Sequence, residues 1–132
     1  LFSASLKNIS IAVIEKSKPP VFSLDKDQMK RAIINIIDNA VDAMSGKGTI
    51  TVETSYDGIF NIARIEITDT GCGIPHGVRE KLFEPYFSTK KSNAGLGLSI
   101  VSTIIADHNG YIRVRDNYPR GTKFIIELPV KM

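Results

Sequence analysis

At 132 residues, with 42% apolar and 23% charged content, the chain has the size and composition of one globular domain with a real core. A formal charge of +3 carried by scattered Lys and Arg, with no basic run interleaved with aromatics, argues against nucleic acid as a partner. The single cysteine, Cys72, excludes an internal disulfide and a multi-cysteine zinc site and fits a reducing compartment, so a cytoplasmic location is expected. No apolar stretch approaches a membrane span, and the start at Leu1-Phe2, with no Met and no signal-peptide pattern, is read as that of a domain cut from a longer protein.

The first strand is expected over Leu6 to Glu15, where Ile9, Ile11 and Val13 alternate with Asn8, Ser10 and Ala12 until Pro19-Pro20 breaks the run. A short extended piece at Val21 to Leu24 leads to Asp25, a good N-cap with Gln28 three positions on, which opens the longest helix of the chain. That helix should run to about Ser45 and stop at Gly46. Its wheel places Met29, Ile33, Ile36, Ile37, Ala40 and Met44 on an apolar face, with Arg31, Asn35, Asn39 and Asp42 along the opposite side. Asn is a mediocre residue inside a helix, so a pair at i, i+4 is either a solvated polar face or a set of carbonyl ligands suited to magnesium shared with phosphates.

Thr49 to Tyr56 alternates as a second strand, Asp57-Gly58 supplies a turn, and Phe60 to Asp69 returns antiparallel. In that third strand Ile65, Ile67 and Asp69 share one face, so the Asp69 carboxylate should point inward. A buried carboxylate needs donors, which an exocyclic amine such as that of adenine would supply, although Asp69-Thr70-Gly71 also reads as an ordinary turn. Gly71 and Gly73 let the following loop turn sharply and approach a flat ligand.

Pro75 to Phe83 should form a short helix, and Glu84 to Gly95, rich in small and polar residues, a mobile loop. A last helix begins at Gly95-Leu96-Gly97-Leu98 and stops at Asn109-Gly110. Two glycines at its start allow a phosphate chain to meet bare N–H groups, with Lys90 adding charge, or else make a tight loop-to-helix junction. Tyr111 to Asp116 and Thr122 to Leu128 close a second hairpin. The expected fold is α+β, a two-layer α/β sandwich with a mixed, mostly antiparallel sheet and helices on one face.

Taken together, Asn35-Ile36-Ile37-Asp38-Asn39-Ala40, Asp69-Thr70-Gly71-Cys72-Gly73-Ile74, Leu82-Phe83-Glu84-Pro85-Tyr86-Phe87 and Gly95-Leu96-Gly97-Leu98-Ser99-Ile100 resemble, in order, the N box, first glycine box, F box and second glycine box of the histidine kinase ATP-binding catalytic domain. That domain belongs to the ATPase superfamily with gyrase, mismatch-repair and heat-shock chaperone members. The resemblance implies a Bergerat-type sandwich over residues 1–132 that binds ATP and Mg2+. It also implies that Asn39 ligates magnesium, that Asn35 supports the phosphates, and that Asp69 takes the adenine amine beside Ile74. Gly95, Leu96, Gly97 and Leu98 would embrace the triphosphate, Lys90 and Thr89 would reach it from the lid, and Thr122 would support Asp69. Asn35, Asn39 and Lys90 would thus be the catalytic set.

The implied partners are a histidine on a dimerisation domain of the same protein, homodimeric at full length, and the receiver domain of a response regulator. Two departures stand out: Asp42-Ala43 replaces the Lys and aromatic residue common after the N box, and the lid from Thr89 to Gly95 is short. His76 and His108 are the only histidines, and both read as structural. A serine kinase of the anti-sigma-factor type is an alternative that the F box disfavours; a nucleotide-gated interaction module without phosphotransfer is another.

Overall fold

The computed structural model describes residues 8–84 and 97–130. Five strands, β1 (Ile9–Glu15), β2 (Gly48–Asp57), β3 (Ile62–Asp69), β4 (Tyr111–Asp116) and β5 (Thr122–Pro129), form one sheet in the order β1-β2-β3-β5-β4. The β1 and β2 strands run parallel, joined through helix α1 (Lys26–Ala43), and every other pairing is antiparallel. Helix α2 (Gly97–Asp107) lies beside α1, and a short 3-10 helix spans His76–Lys81. The mixed sheet and its helical layer are those expected from the sequence.

Period-two alternation sorts the sheet into two faces. Toward the helices point Ile50 and Val52 of β2, Ile65 and Ile67 of β3, and Phe124 and Ile126 of β5, and all of them belong to the core or pack against it. Phe124, Ile36, Ile50, Ile67 and Ile126 are fully buried; each removes an apolar side chain from water for roughly 1.5–3 kcal/mol. The opposite face is ionic: Arg64 and Arg113 both reach Glu127, at 2.8 and 3.2 Å, and Lys123 lies 3.6 Å from Glu66. A sheet covered on one side only shows this division. At its β1 edge the cover gives out, leaving Ile11 and Val13 exposed, while Ile14 is exposed on the opposite face.

Asp25 caps α1 as expected, its Oδ1 accepting the Gln28 N–H at 3.0 Å. Its own N–H donates to His108 Nε2 at 2.9 Å, while His108 Nδ1 lies 2.8 Å from the Ile104 carbonyl. The tautomer with its proton on Nδ1 satisfies both contacts and ties the start of α1 to the end of α2, which is a structural role. Replacing Asp25 with Ala removes only the cap, and should cost about 1 kcal/mol in urea denaturation while Asp25→Asn costs almost nothing.

Two boundaries differ from expectation. Helix α1 ends at Ala43 rather than Ser45, because Ser45 already has a positive φ of 52°. The first hairpin is wider than a two-residue turn: Asp57 Oδ1 accepts the N–H groups of Ile59 and Phe60, and β3 begins only at Ile62. The short helix expected after Pro75 is present, as a 3-10 helix over His76–Lys81. The buried stripe of α1 is also rotated from the predicted one, with Ala32 and Val41 buried and Ile33 and Ile37 only partly covered. Packing of α2 alongside α1 shifts the covered sector.

Candidate functional site

At the end of β3 the core-facing row closes on a carboxylate. Asp69 is 2% exposed, on the same face as Ile67, as the alternation requires. The last β3–β5 pair is Thr68 with Lys123, so beyond it the strands no longer exchange backbone bonds in register. The side chain takes over: Asp69 Oδ1 accepts the Gly71 N–H at 2.8 Å and the Thr122 N–H at 3.2 Å. Thr122, itself buried, therefore supports Asp69 through its main chain. Gly71 and Thr122 are two of the donors that hold this carboxylate, which can accept about four hydrogen bonds.

The loop that follows is pressed between two neighbours. A Cβ on Gly71 would lie 2.6 Å from the Ala43 carbonyl oxygen, the same carbonyl that accepts the Cys72 N–H at 3.0 Å. Only glycine lets the loop lie this close to the end of α1. Thr70 Oγ1 accepts the Thr49 N–H at 3.0 Å, fixing the loop to the start of β2. On the other side stands the β4–β5 connection. Asn117 Nδ2 donates to the Asp69 carbonyl at 3.2 Å, and Arg120 Nε donates to the Gly71 carbonyl at 2.9 Å. Farther along, His76 and Arg79 of the 3-10 helix both meet Asp116 at the end of β4.

The end of α1, the glycine loop and the 3-10 helix line a cavity of about 250 Å³ whose lining includes Asn39, Ala43, Cys72, Gly73, Ile74 and Leu82, while the β4–β5 connection lines with Cys72, Gly73 and Ile74 a separate hollow of about 550 Å³. Helix α1 thus brings Asn39 to the same hollow as the glycine loop. Asn35, one turn earlier, is half-buried, and its Nδ2 donates to the Gly97 carbonyl at 3.4 Å, which joins the N box to the start of α2. The asparagines are therefore not a free solvent face. Leu98 packs on the core. Phe83 of the F box meets Phe124 edge-on, with ring centroids 6.5 Å apart. Thr89, Lys90, Gly95 and Leu96, and with them Pro85 to Phe87 of the F box, lie outside the described residues.

Val78, Leu82, Asn117 and Arg120 are not among the expected site residues, although Leu82 opens the F box. The first two follow Ile74 at i, i+4 spacing, a signal that was available. Asn117 and Arg120 carry no pattern, since their contacts to Asp69 and Gly71 span a chain separation of 48 and 49 residues. A larger groove of about 630 Å³ runs between α1 and α2, lined among others by Gln28, Arg31, Thr103 and His108; it includes none of the predicted site residues.

The chain is thus an α+β two-layer sandwich in which an asparagine-bearing helix and a glycine loop line one hollow, with the buried Asp69 carboxylate at the root of that loop. Comparison with known proteins gives the same class. A family model described as histidine kinase-, DNA gyrase B- and HSP90-like ATPase matches residues 24–132. The chain is 38% identical over 127 residues to the sensory histidine kinase/phosphatase NtrB of Rhodobacter capsulatus, covering 88% of this chain and 35% of NtrB. Among solved structures it resembles the nucleotide-free catalytic domain of histidine kinase ThkA, with a TM-score of 0.85, 31% identity, and coverage of 98% of this chain and 85% of that one.

Two further solved structures are complexes with a ligand or a partner. Full-length ShkA in complex with AMPPNP matches at a TM-score of 0.85 and 28% identity, over 99% of this chain and 28% of ShkA. ThkA in complex with the response regulator protein TrrA matches at 0.80 and 29%, over 98% and 37%. The chain belongs to the histidine kinase-, DNA gyrase B- and HSP90-like ATPase family. It spans about a third of the length of NtrB. Among the described residues, no helix is long and apolar enough to cross a membrane.

Proposed function

We propose that the chain is the catalytic domain of a sensor histidine kinase, binding Mg-ATP in the hollow between α1 and the Asp69–Ile74 loop and presenting the γ-phosphate to a histidine on a separate dimerisation domain. The observation that carries this reading is the buried Asp69 carboxylate, anchored by two backbone N–H groups beside a hollow lined by Ile74 and Asn39. In this reading Asp69 accepts the adenine amine, Ile74 packs on the base, and the glycine loop approaches its edge. Asn39 and Asn35 face the phosphates, with Gly97 at the start of α2 and Thr89, Lys90, Gly95 and Leu96 completing the embrace.

The donor set suits magnesium. Asn39 and Asp42 offer oxygen atoms on one wall of the hollow, and magnesium takes only one or two protein ligands beside phosphates and water. Among the described residues there is no cluster of three or more His, Cys, Asp or Glu, and such an ion needs none. When bound, the ion neutralises charge on the phosphate oxygens. The chain contributes position: α1 and the glycine loop hold the two ends of the nucleotide in a fixed relation.

The phosphoryl group would pass to a histidine outside this chain and then to an aspartate of a response regulator receiver domain. The ThkA–TrrA complex, a histidine kinase with a response regulator, supports that partner class. In this reading the domain works in the cytosol, with any membrane anchor elsewhere in its parent. Calorimetric titration with a non-hydrolysable ATP analogue tests the site. We expect binding that magnesium strengthens, and an Asn39→Ala variant in which most of that magnesium increment is lost; an increment left intact would remove Asn39 from the metal's shell. With a dimerisation domain supplied, acid-labile, base-stable phosphohistidine is the expected product, and binding without transfer would favour a nucleotide-gated interaction module.

A further inference from the structure

The β4–β5 connection, residues 117–121, is tied to the base-recognition loop rather than merely passing behind it. The carbonyls on both sides of Thr70 accept hydrogen bonds from it, that of Asp69 from Asn117 Nδ2 and that of Gly71 from Arg120 Nε. Asn117 is itself held, since its N–H donates to the Gly121 carbonyl at 3.0 Å and its amide also donates to the Arg120 carbonyl at 3.0 Å. With the bond from the Thr122 N–H to the carboxylate, one short connection fixes both the main chain and the side chain of Asp69.

We propose that Asn117 and Arg120 are positioning residues for nucleotide recognition, holding the Asp69–Gly71 main chain so that the carboxylate meets the base at a set angle. The argument is one of replacement at the ladder's end. Past Thr68 and Lys123 the backbone bonds between β3 and β5 cease, and the strands would be free to splay. Two side-chain donors close the gap: the Asn117 amide serves the Asp69 carbonyl, and the Arg120 guanidinium serves that of Gly71. The fixed planar geometry of the guanidinium also makes Arg120 directional, which a lysine at this position would not reproduce. Neither residue lines the hollow assigned to the nucleotide; both line the separate one beside Cys72, Gly73 and Ile74, and they reach Asp69 through the carbonyls of Asp69 and Gly71.

This inference rests on the reading of Asp69 as the base acceptor, and the test separates the two. Arg120→Ala, Arg120→Lys, Asn117→Ala and Asp69→Asn would be titrated with ATP beside the unaltered protein, with amide hydrogen exchange recorded for Gly71 and for Ile67 and Phe124 in the sheet. Loss of one hydrogen bond that orients the acceptor is expected to weaken ATP binding about three- to tenfold. Exchange at Gly71 should quicken in Arg120→Ala and Asn117→Ala while Ile67 and Phe124 keep their protection, and Arg120→Lys should recover only part of the affinity. A global loss of stability would instead quicken all three amides.

If Arg120→Ala and Asn117→Ala bind ATP as the unaltered protein does while Asp69→Asn does not, the positioning role is wrong and the base reading stands. If the unaltered protein shows no ATP binding, both fall. Should Asn117→Ala fail to fold, Arg120→Ala alone decides the matter, because Arg120 is an exposed residue.

Discussion

Asp69→Asn should lower ATP affinity by at least about 30-fold, the loss of a charge-assisted hydrogen bond of roughly 2–3 kcal/mol. The substitution keeps one carbonyl oxygen, which can still accept the N–H groups of Gly71 and Thr122 now bonded to Oδ1. The fold is therefore expected to survive, with a thermal midpoint only a few degrees lower. What changes is the second atom of the group. An acceptor becomes an NH2 donor, and a donor facing the adenine amine leaves both unpaired in a site shielded from water. Calorimetry on the folded variant checks this, and an affinity equal to that of the unaltered protein would place the base elsewhere.

Gly121→Ala is expected to be the most destabilising single change around the site, at about 3–5 kcal/mol. Two causes act at once. Gly121 has a φ of 112°, where L residues with a side chain are strained, and a Cβ there would sit 1.9 Å from the Asp69 carbonyl oxygen and 2.9 Å from the Thr70 Cα. Both neighbours are main chain, so no rotamer change relieves the overlap. The loop and the β4–β5 connection must part, which also undoes the Asn117 and Thr122 bonds to Asp69. A domain with a total stability of about 5–15 kcal/mol would lose a large share of it. Chemical denaturation should show the loss, and a cost below about 1 kcal/mol would mean the two segments are not held in contact.

Much of the fold was legible because it rests on local periods. Alternation in β2, β3, β4 and β5 sets both the strand positions and the inward face, and it is enough to aim Asp69 at the core before any partner is known. The Asp25 cap is equally local. Legibility fails where distant segments decide the outcome. The asparagine side of α1 reads as polar on a wheel, yet α2 lies alongside, so Asn35 ends half-buried against Gly97. The 3-10 form after Pro75 and the wide turn after Asp57 depend on which backbone groups find partners, a matter of local geometry that composition underdetermines. Asn117 and Arg120 are the extreme case. One sits in the turn of a hairpin beside the other, with no period to expose either, and their worth appears only when the first glycine box lies against them.

Two of the donors that hold the Asp69 carboxylate bear on how the site comes into being. One donor, Gly71, is a sequence neighbour available in any short turn, whereas the other, Thr122, lies 53 residues away and arrives only when β5 docks on β3. No contiguous stretch of the unfolded chain can preform this acceptor. With Asp69 as the proposed base acceptor, sheet closure and competence to hold a base would be one cooperative event, so a ligand that requires the finished acceptor would draw the chain toward its folded state by mass action and leave the unfolded ensemble untouched.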